Sequence, residues 1–112
     1  MDKVKHYQKI LTDWLNQYAQ VKPANLPQTE NHVVIDLDHG HFQLLREGWH
    51  NQQFVFNVVF HFHIKPDGKI WVLANNTDIP LDQEFASLQI PKEDLIPGFQ
   101  PEAWRRLAGY AA

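Results

Sequence analysis

The chain has 112 residues, of which 44% are hydrophobic and 12% aromatic, and its formal net charge is −3. This length fits one domain over residues 1–112, and the hydrophobic content excludes a disordered chain. The absence of cysteine excludes disulfides, thiolate catalysis and cysteine-based zinc sites, and suits the reducing cytoplasm, which we predict as the location. No apolar run suggests a signal core or a membrane span, so we expect no membrane association.

The first predicted element is a helix over residues 3–22, because apolar residues recur there at intervals of three and four. Pro23 ends it, since a proline disfavours the helical conformation of the residue before it. Residues 23–31 are polar and contain prolines, which predicts a connection without regular structure.

Four strands are predicted next, at residues 32–38, 41–48, 53–65 and 69–75. The links between them are too short for parallel crossovers, so they predict an antiparallel meander. The third strand alternates most regularly, and we expect its apolar residues to form one face beneath the first helix. These residues are Phe54, Phe56, Val58, Phe60, Phe62 and Ile64.

Short helices are predicted after the sheet, at residues 81–88, 91–95 and 101–110. The predicted fold class is therefore α+β. An N-terminal helix packs on a four-stranded antiparallel meander, and short C-terminal helices follow.

Histidines and acids are the candidate metal ligands of this chain. His61 and His63 share one face of a strand, and other candidates lie on nearby strands and turns: His32, Asp36, Asp38, His39 and His41. Such a set suits zinc or nickel, but only two ligands have a definite spacing, whereas a closed site needs three or four. We therefore predict that His61 and His63 are structural or interface residues and that no metal binds.

Little in the sequence indicates catalysis. Ser87 is the only serine, and no glycine-rich phosphate loop is present, so we predict no catalytic residues and no cofactor. Asp67-Gly68-Lys69 fits half of a restriction-type nuclease motif, with Asp36 as a distant acid. Asp-Gly is also a turn signature between two strands, which makes a nuclease the weaker alternative.

Several short strings in this chain, taken in order, resemble the XisI-like family, which is named for a controlling factor in excision of the fdxN DNA element in cyanobacteria. The strings cover nearly the whole chain: Lys5–Leu11, Tyr18-Ala19, His41–Leu45, Gly48-Trp49, Asn51-Gln52, His61–Lys65, Asp67–Trp71, Thr77-Asp78, Ile90–Ile96 and Gly98-Phe99. The chain departs from the family pattern at three positions, where Gln53, His63 and Pro97 replace the usual Arg, Asp and Leu.

The resemblance implies a non-enzymatic accessory protein with an α+β fold. Members of the family are associated with a nuclease-like companion of the XisH family and, in the name-giving system, with a site-specific recombinase. No catalytic residues are attributed to the family, so none carry over to this chain.

The aromatic content predicts an interface. Four Trp and seven Phe exceed what one helix–sheet layer must bury, so we expect a homo-oligomer, with a dimer favoured, or binding to a XisH-like companion. The candidate interface residues are Trp49, Val55, Val59, His61, His63, Trp71 and Trp104.

The alternative function is a DNA-binding accessory factor for site-specific recombination. Its candidate contacts are Lys65, Lys69, Arg105 and Arg106. The basic residues are dispersed along the chain rather than gathered in one stripe, which favours a protein partner over the phosphate backbone of DNA.

Overall fold

The computed structural model describes residues 2–21, 28–107 and 109 of the chain. One helix precedes a five-stranded sheet, and shorter helical elements accompany its last strand. The elements in chain order are α1 (Lys3–Ala19), β1 (Glu30–Asp36), β2 (His41–His50), β3 (Gln53–Ile64), β4 (Ile70–Asn75), α2 (Leu81–Ala86), a 3₁₀ turn (Lys92–Asp94), β5 (Leu95–Pro97) and α3 (Glu102–Leu107). No helix in this part of the chain is long and apolar enough to cross a membrane.

The predicted α+β class is confirmed, but the four-stranded antiparallel meander is wrong in its strand count. The strands lie in the order β1-β2-β3-β4-β5, and β5 pairs with β4 in the parallel direction. A parallel neighbour needs a long crossover, which residues 76–94 supply. The helical turn predicted over 91–95 is present as the 3₁₀ turn Lys92–Asp94, whereas the three-residue strand β5 directly after it was not predicted.

Several predicted boundaries shift by a few residues. The helix α1 ends at Ala19, and α2 ends at Ala86 rather than at residue 88. Most of the predicted connection over 23–31 and the predicted end of the last helix at 110 lie outside the described residues.

The core lies between α1, α2 and the face of the sheet that we call the inner face. Asp2 begins α1 by accepting a hydrogen bond from the Val4 N–H through its carboxylate, as an N-cap residue does. Trp14 is the centre of the contact, because its ring lies 5.0 Å from Phe60 of β3 and 5.2 Å from Phe85 of α2, in edge-to-face geometry. Its indole N–H also donates to the Glu84 carboxylate.

A β-bulge in β3 divides the predicted apolar face into two. Leu44 pairs with Phe60 but Leu45 pairs with Val58, so Val59 is an extra residue on β3. Val59 turns into the core and is 2% exposed. Because side chains alternate between faces, this one residue moves Phe54 and Phe56 away from the inner face.

The prediction that all alternate residues of β3 pack beneath α1 is therefore correct only for part of the strand. Phe60, Phe62 and Ile64 are buried on the inner face, whereas Phe54 and Phe56 are exposed. The pattern gave no sign of the change because Val59 is as apolar as its neighbours.

A buried acid connects the first helix to the C-terminal part of the chain. Tyr7 donates to Asp94 Oδ2 at 2.5 Å, and Lys3 donates to Asp94 Oδ1 at 3.1 Å. Burial, and then the hydrogen bond to Asp94 and its charge, raise the pKa of the Tyr7 phenol. A carboxylate at a buried position needs such partners, and these two hold the 3₁₀ turn, and β5 behind it, against α1.

Truncating a phenylalanine to alanine should change the free energy of unfolding by different amounts in the two halves of β3. We expect Phe60→Ala to lower the free energy of unfolding by about 3–5 kcal/mol, because it leaves a cavity among packed rings. Phe56→Ala should cost much less when both are measured by urea unfolding at a concentration where the chain is monomeric. Equal losses would contradict the bulge.

The buried acid gives a second stability prediction. Tyr7→Phe should lower the free energy of unfolding by about 1–3 kcal/mol, because it leaves a buried carboxylate oxygen of Asp94 without its donor. Asp13→Ala is the matched control, since it removes only the exposed Lys9–Asp13 pair of the same helix. A loss for Tyr7→Phe no larger than that of the control would show that Asp94 is satisfied without Tyr7.

Candidate interaction surface

The outer face of the sheet, opposite α1, is built from the alternate residues of β2 that point away from the core. Those residues are His41, Gln43, Leu45, Glu47 and Trp49, and none of them is fully buried. Cross-strand pairing places Val58 opposite Leu45 and Phe54 opposite Trp49 on this face. The side chains that the bulge turns away from the core therefore lie on the outer face.

Beyond the bulge, the β2–β3 hairpin extends past the rest of the sheet. We call residues 48–57 the hairpin arm. Pairing of β4 with β3 stops at Phe60 and Asn75, and pairing of β1 with β2 stops at Glu47. The arm is therefore a two-stranded ribbon.

Three aromatic side chains stand in a row on the outer face of the arm, and we call Trp49, Phe54 and Phe56 the aromatic ladder. The rings of Trp49 and Phe54 are 5.2 Å apart, and those of Phe54 and Phe56 are 6.4 Å apart and nearly parallel. The three residues are 58%, 54% and 60% exposed, respectively. Large apolar side chains grouped in this way on a surface indicate a binding site.

Gly48 shapes the base of the arm. Its φ is +145°, and a Cβ atom there would lie 3.0 Å from the Gln28 carbonyl oxygen and 3.0 Å from the Thr29 Cα. The backbone before β1 therefore crosses directly over this position, which only glycine accommodates without strain.

A histidine patch, His41, His61 and His63, lies further along the outer face. His41 Nδ1 and His61 Nε2 are 2.9 Å apart, and the rings of His41 and His63 stack at 4.1 Å. One nitrogen of the His41–His61 pair must donate and the other accept, so at least one of these rings is neutral. Burial lowers the pKa of both His61 and His63, and the charge of protonated His41 lowers each further.

Of the other predicted metal ligands, His32, Asp36 and His39 are engaged in separate pairs, and Asp38 lies in the turn after β1. His39 Nδ1 lies 2.7 Å from Asp36 Oδ2, and His32 Nε2 lies between the carboxylates of Glu30 and Glu47. Within residues 2–21, 28–107 and 109, no group of three or more histidines and acids is placed to hold a metal ion.

Trp71 is covered by the chain itself. The Lys65 ammonium lies 3.8 Å from the centre of its ring, and the Arg105 guanidinium lies 5.3 Å from it. A Cβ atom on Gly98 would lie 2.8 Å from the ring, so the glycine lets the chain pass close beneath it. Trp71 therefore anchors the C-terminal segment and offers little free surface.

The remaining predicted interface residues divide between the core and the surface. Val59 is buried in the bulge, and Val55 is half-buried on the inner side of the arm. Trp104 of α3 is 64% exposed. Sequence reasoning missed Phe54 and Phe56 as surface residues because it placed them in the core.

Two of the four predicted DNA contacts, Lys65 and Arg105, meet at Trp71. The Lys69 carbonyl accepts the Lys65 N–H at 3.0 Å in the β3–β4 turn, and Arg106 pairs with Glu102 within α3. The predicted nuclease motif is a turn, in which Asp67 Oδ1 accepts the Lys69 N–H at 3.0 Å.

The family model that describes the XisI protein matches residues 1–112. The chain belongs to the XisI family. A crystal structure of a XisI-like protein from Anabaena variabilis ATCC 29413 is 30% identical to this chain, with a TM-score of 0.84, and the match covers 97% of this chain and 98% of that one.

A second structure, of the fdxN element excision controlling factor XisI from the same organism, is 24% identical with a TM-score of 0.79. That match covers 98% of each chain and supports the fold. None of the curated proteins matches this chain.

The histidine patch makes the stability of this XisI-family chain depend on pH. The folded pKa values of His61 and His63 lie below the unfolded value of about 6.5, so the unfolded chain binds more protons as the pH falls. Stability should therefore be full at neutral pH and fall between about pH 7 and 5. The lowered pKa of Asp36 acts only below its ordinary range near pH 4, outside this window.

The test compares urea unfolding midpoints across this window. His61→Gln should reduce the loss of stability on acidification, because it removes one of the two groups with a lowered pKa. His6→Gln, at an exposed histidine of α1, is the control and should leave the loss unchanged. A wild-type chain that becomes more stable at the lower pH would contradict the prediction.

Proposed function

We propose that this chain is a non-catalytic, cytoplasmic regulatory protein of DNA element excision that acts by binding a XisH-like companion protein. Membership of the XisI family and the likeness to an excision controlling factor support the role. The single observation that carries a protein-binding action is an apolar patch on the C-terminal segment, which we call the C-terminal patch. Its residues are Trp104 and Leu107, which lie three positions apart on α3 and are both exposed.

The surroundings of the C-terminal patch suit a different protein as partner. Trp104 lies on α3, a short helix that also carries charges of both signs, at Glu102, Arg105 and Arg106. Trp is among the residues most enriched at the energetic centres of protein interfaces. Charges of both signs on the same helix give orientation and selectivity towards a complementary partner.

The contacts of the reactive side chains support a non-catalytic role. The Ser87 hydroxyl donates to the Glu84 carbonyl, and Asp67 accepts a hydrogen bond from its own turn. The buried carboxylate of Asp94 is held by Tyr7 and Lys3. Each of these groups has a local structural contact that accounts for its position.

A second candidate function is direct contact with DNA. It rests on two cations, Lys65 and Arg105, that both lie over the Trp71 ring. Two adjacent cations displace about two counterions from duplex DNA, which predicts a slope of log K against log salt of only about −2. Such a contact fits an accessory role inside a larger complex rather than tight binding by this chain alone.

The test is capture of the purified XisH-like protein of the same genome by the full chain. Trp104→Ala should weaken binding roughly 30-fold, as expected for an interface centre that contributes about 2 kcal/mol. Leu37→Ala is the matched control, because Leu37 is a similarly exposed apolar residue in the turn after β1.

Two outcomes would contradict the proposal. If the Trp104→Ala variant captures the companion as well as the wild-type chain does, the companion binds elsewhere on the surface. Absence of capture together with a gel shift of duplex DNA whose affinity falls with salt at a slope of about −2 would favour the DNA-binding function.

A further inference from the structure

We propose that the hairpin arm is a self-association site, at which the arm of a second copy of this chain pairs with β3 and brings its aromatic ladder beside the first. The interface would be two-fold, with the same residues on both sides. This inference goes beyond the binding of a companion and concerns a different surface.

The first argument is the apolar area that the arm leaves in contact with water. Aromatic side chains have about 150–250 Å² each, so three residues that are more than half exposed present on the order of 300–400 Å². Val34 and the half-buried pair Leu45 and Val58 extend this area along the same face. The whole patch reaches the size that marks a binding surface on a monomer.

The second argument is the free edge of β3. Residues 53–57 pair with β2 on one side, and no described strand pairs with them on the other. Asn76 bonds to the Val58 and Val59 carbonyls, which ends the covered part of this edge. The free stretch, QFVFN, contains no proline and no charge, the features that normally prevent pairing at an edge.

Antiparallel pairing suits an identical partner. Two copies of one strand that run in opposite directions are related by a two-fold axis, so each carries the same residues to the contact. Joining two copies of β3 would satisfy the free backbone groups on both. The outer faces would continue across the axis and bring the two aromatic ladders together.

The third argument is charge. Residues 48–64 contain no Asp, Glu, Lys or Arg, although the chain as a whole has a net charge of −3. A two-fold axis places each charged side chain near the identical side chain of the other copy, and like charges repel. Two copies therefore associate most readily through a surface without charges. The nearest acids of the outer face are Glu47, opposite Phe56, and Glu30, and both lie against His32 at the margin of the arm.

The size of the contact sets its expected strength. A standard interface buries about 800 Å² per partner, and two aromatic ladders that lie side by side across the axis supply less than half of that. The polar side chains of Asn51, Gln52 and Gln53 at the tip would form the rim. An interface of this size predicts a dimer that dissociates on dilution rather than an obligate one.

The first experiment measures the mass of the full chain by sedimentation and light scattering over a range of concentrations. The wild-type chain should pass from monomer to dimer as its concentration rises. Phe56→Glu should remain a monomer, because it places two like charges near the axis. Trp104→Glu is the matched control, the same change at a similarly exposed aromatic residue, and should still form the dimer.

The second experiment uses the absence of cysteine and does not depend on the fold of the Phe56→Glu variant. Single cysteines at Phe54, Val55 and Phe56 report only contacts between copies, and a disulfide needs Cα atoms about 4.4–6.8 Å apart. At least one of these variants should cross-link under mild oxidation. Lys69→Cys, in the β3–β4 turn, should not.

Each result decides between the alternatives. A wild-type chain that stays monomeric would overturn the proposal. So would a Phe56→Glu variant that still dimerises together with arm cysteine variants that do not cross-link. So would a monomeric chain whose capture of the companion is abolished by Phe56→Glu, since the arm would then bind a different protein. If Trp104→Ala loses companion binding but still dimerises, the self-association proposal is supported, because the two surfaces then act separately.

Discussion

The extra residue at Val59 determines which side of the sheet each half of β3 faces. C-terminal to it, Phe60 and Phe62 pack against Trp14 and form the core with α1. N-terminal to it, the same alternation carries Phe54 and Phe56 to the outer face. A single inserted residue thus lets one continuous apolar strand build both the interior and an exposed aromatic row.

The two apolar surfaces of the molecule differ in chemistry. The hairpin arm is neutral and has a free strand edge, whereas the C-terminal patch lies on a helix with charges of both signs around it. Neutral edges favour contact between like chains, and charged rims favour discrimination between unlike ones. Under the two proposals made above, one assembly would present two copies of the companion site.

The histidine patch lies on the outer face beside these surfaces. Its three rings are held by contacts with one another rather than by acids, since the nearby carboxylate of Asp36 is paired with His39. Neutral imidazoles are compatible with a partly covered sheet, and protonation brings like charges together there. The patch therefore makes the outer face sensitive to acid.

Local patterns allowed most of the secondary structure to be predicted. The 3.6-residue spacing gave α1, the two-residue spacing gave β1 to β4, and Pro66-Asp67-Gly68 gave the turn between β3 and β4. The bulge at Val59 and the strand β5 could not be predicted, because the first depends on register against β2 and the second on pairing with β4. The interface prediction identified Trp49 and Trp104 as surface residues but missed Phe54 and Phe56 for the same reason.

The buried contact between Tyr7 and Asp94 also bears on how the chain folds during synthesis. These residues are separated by 87 positions, and β5 follows Asp94 directly. While the ribosome has released only the helix and the four-stranded meander, the Tyr7 hydroxyl lacks its acceptor and β4 lacks its outer neighbour. The segment from Asp94 to the end of β5 therefore closes the structure, and a nascent chain stalled before Asp94 would expose the edge of β4 to chaperones and proteases.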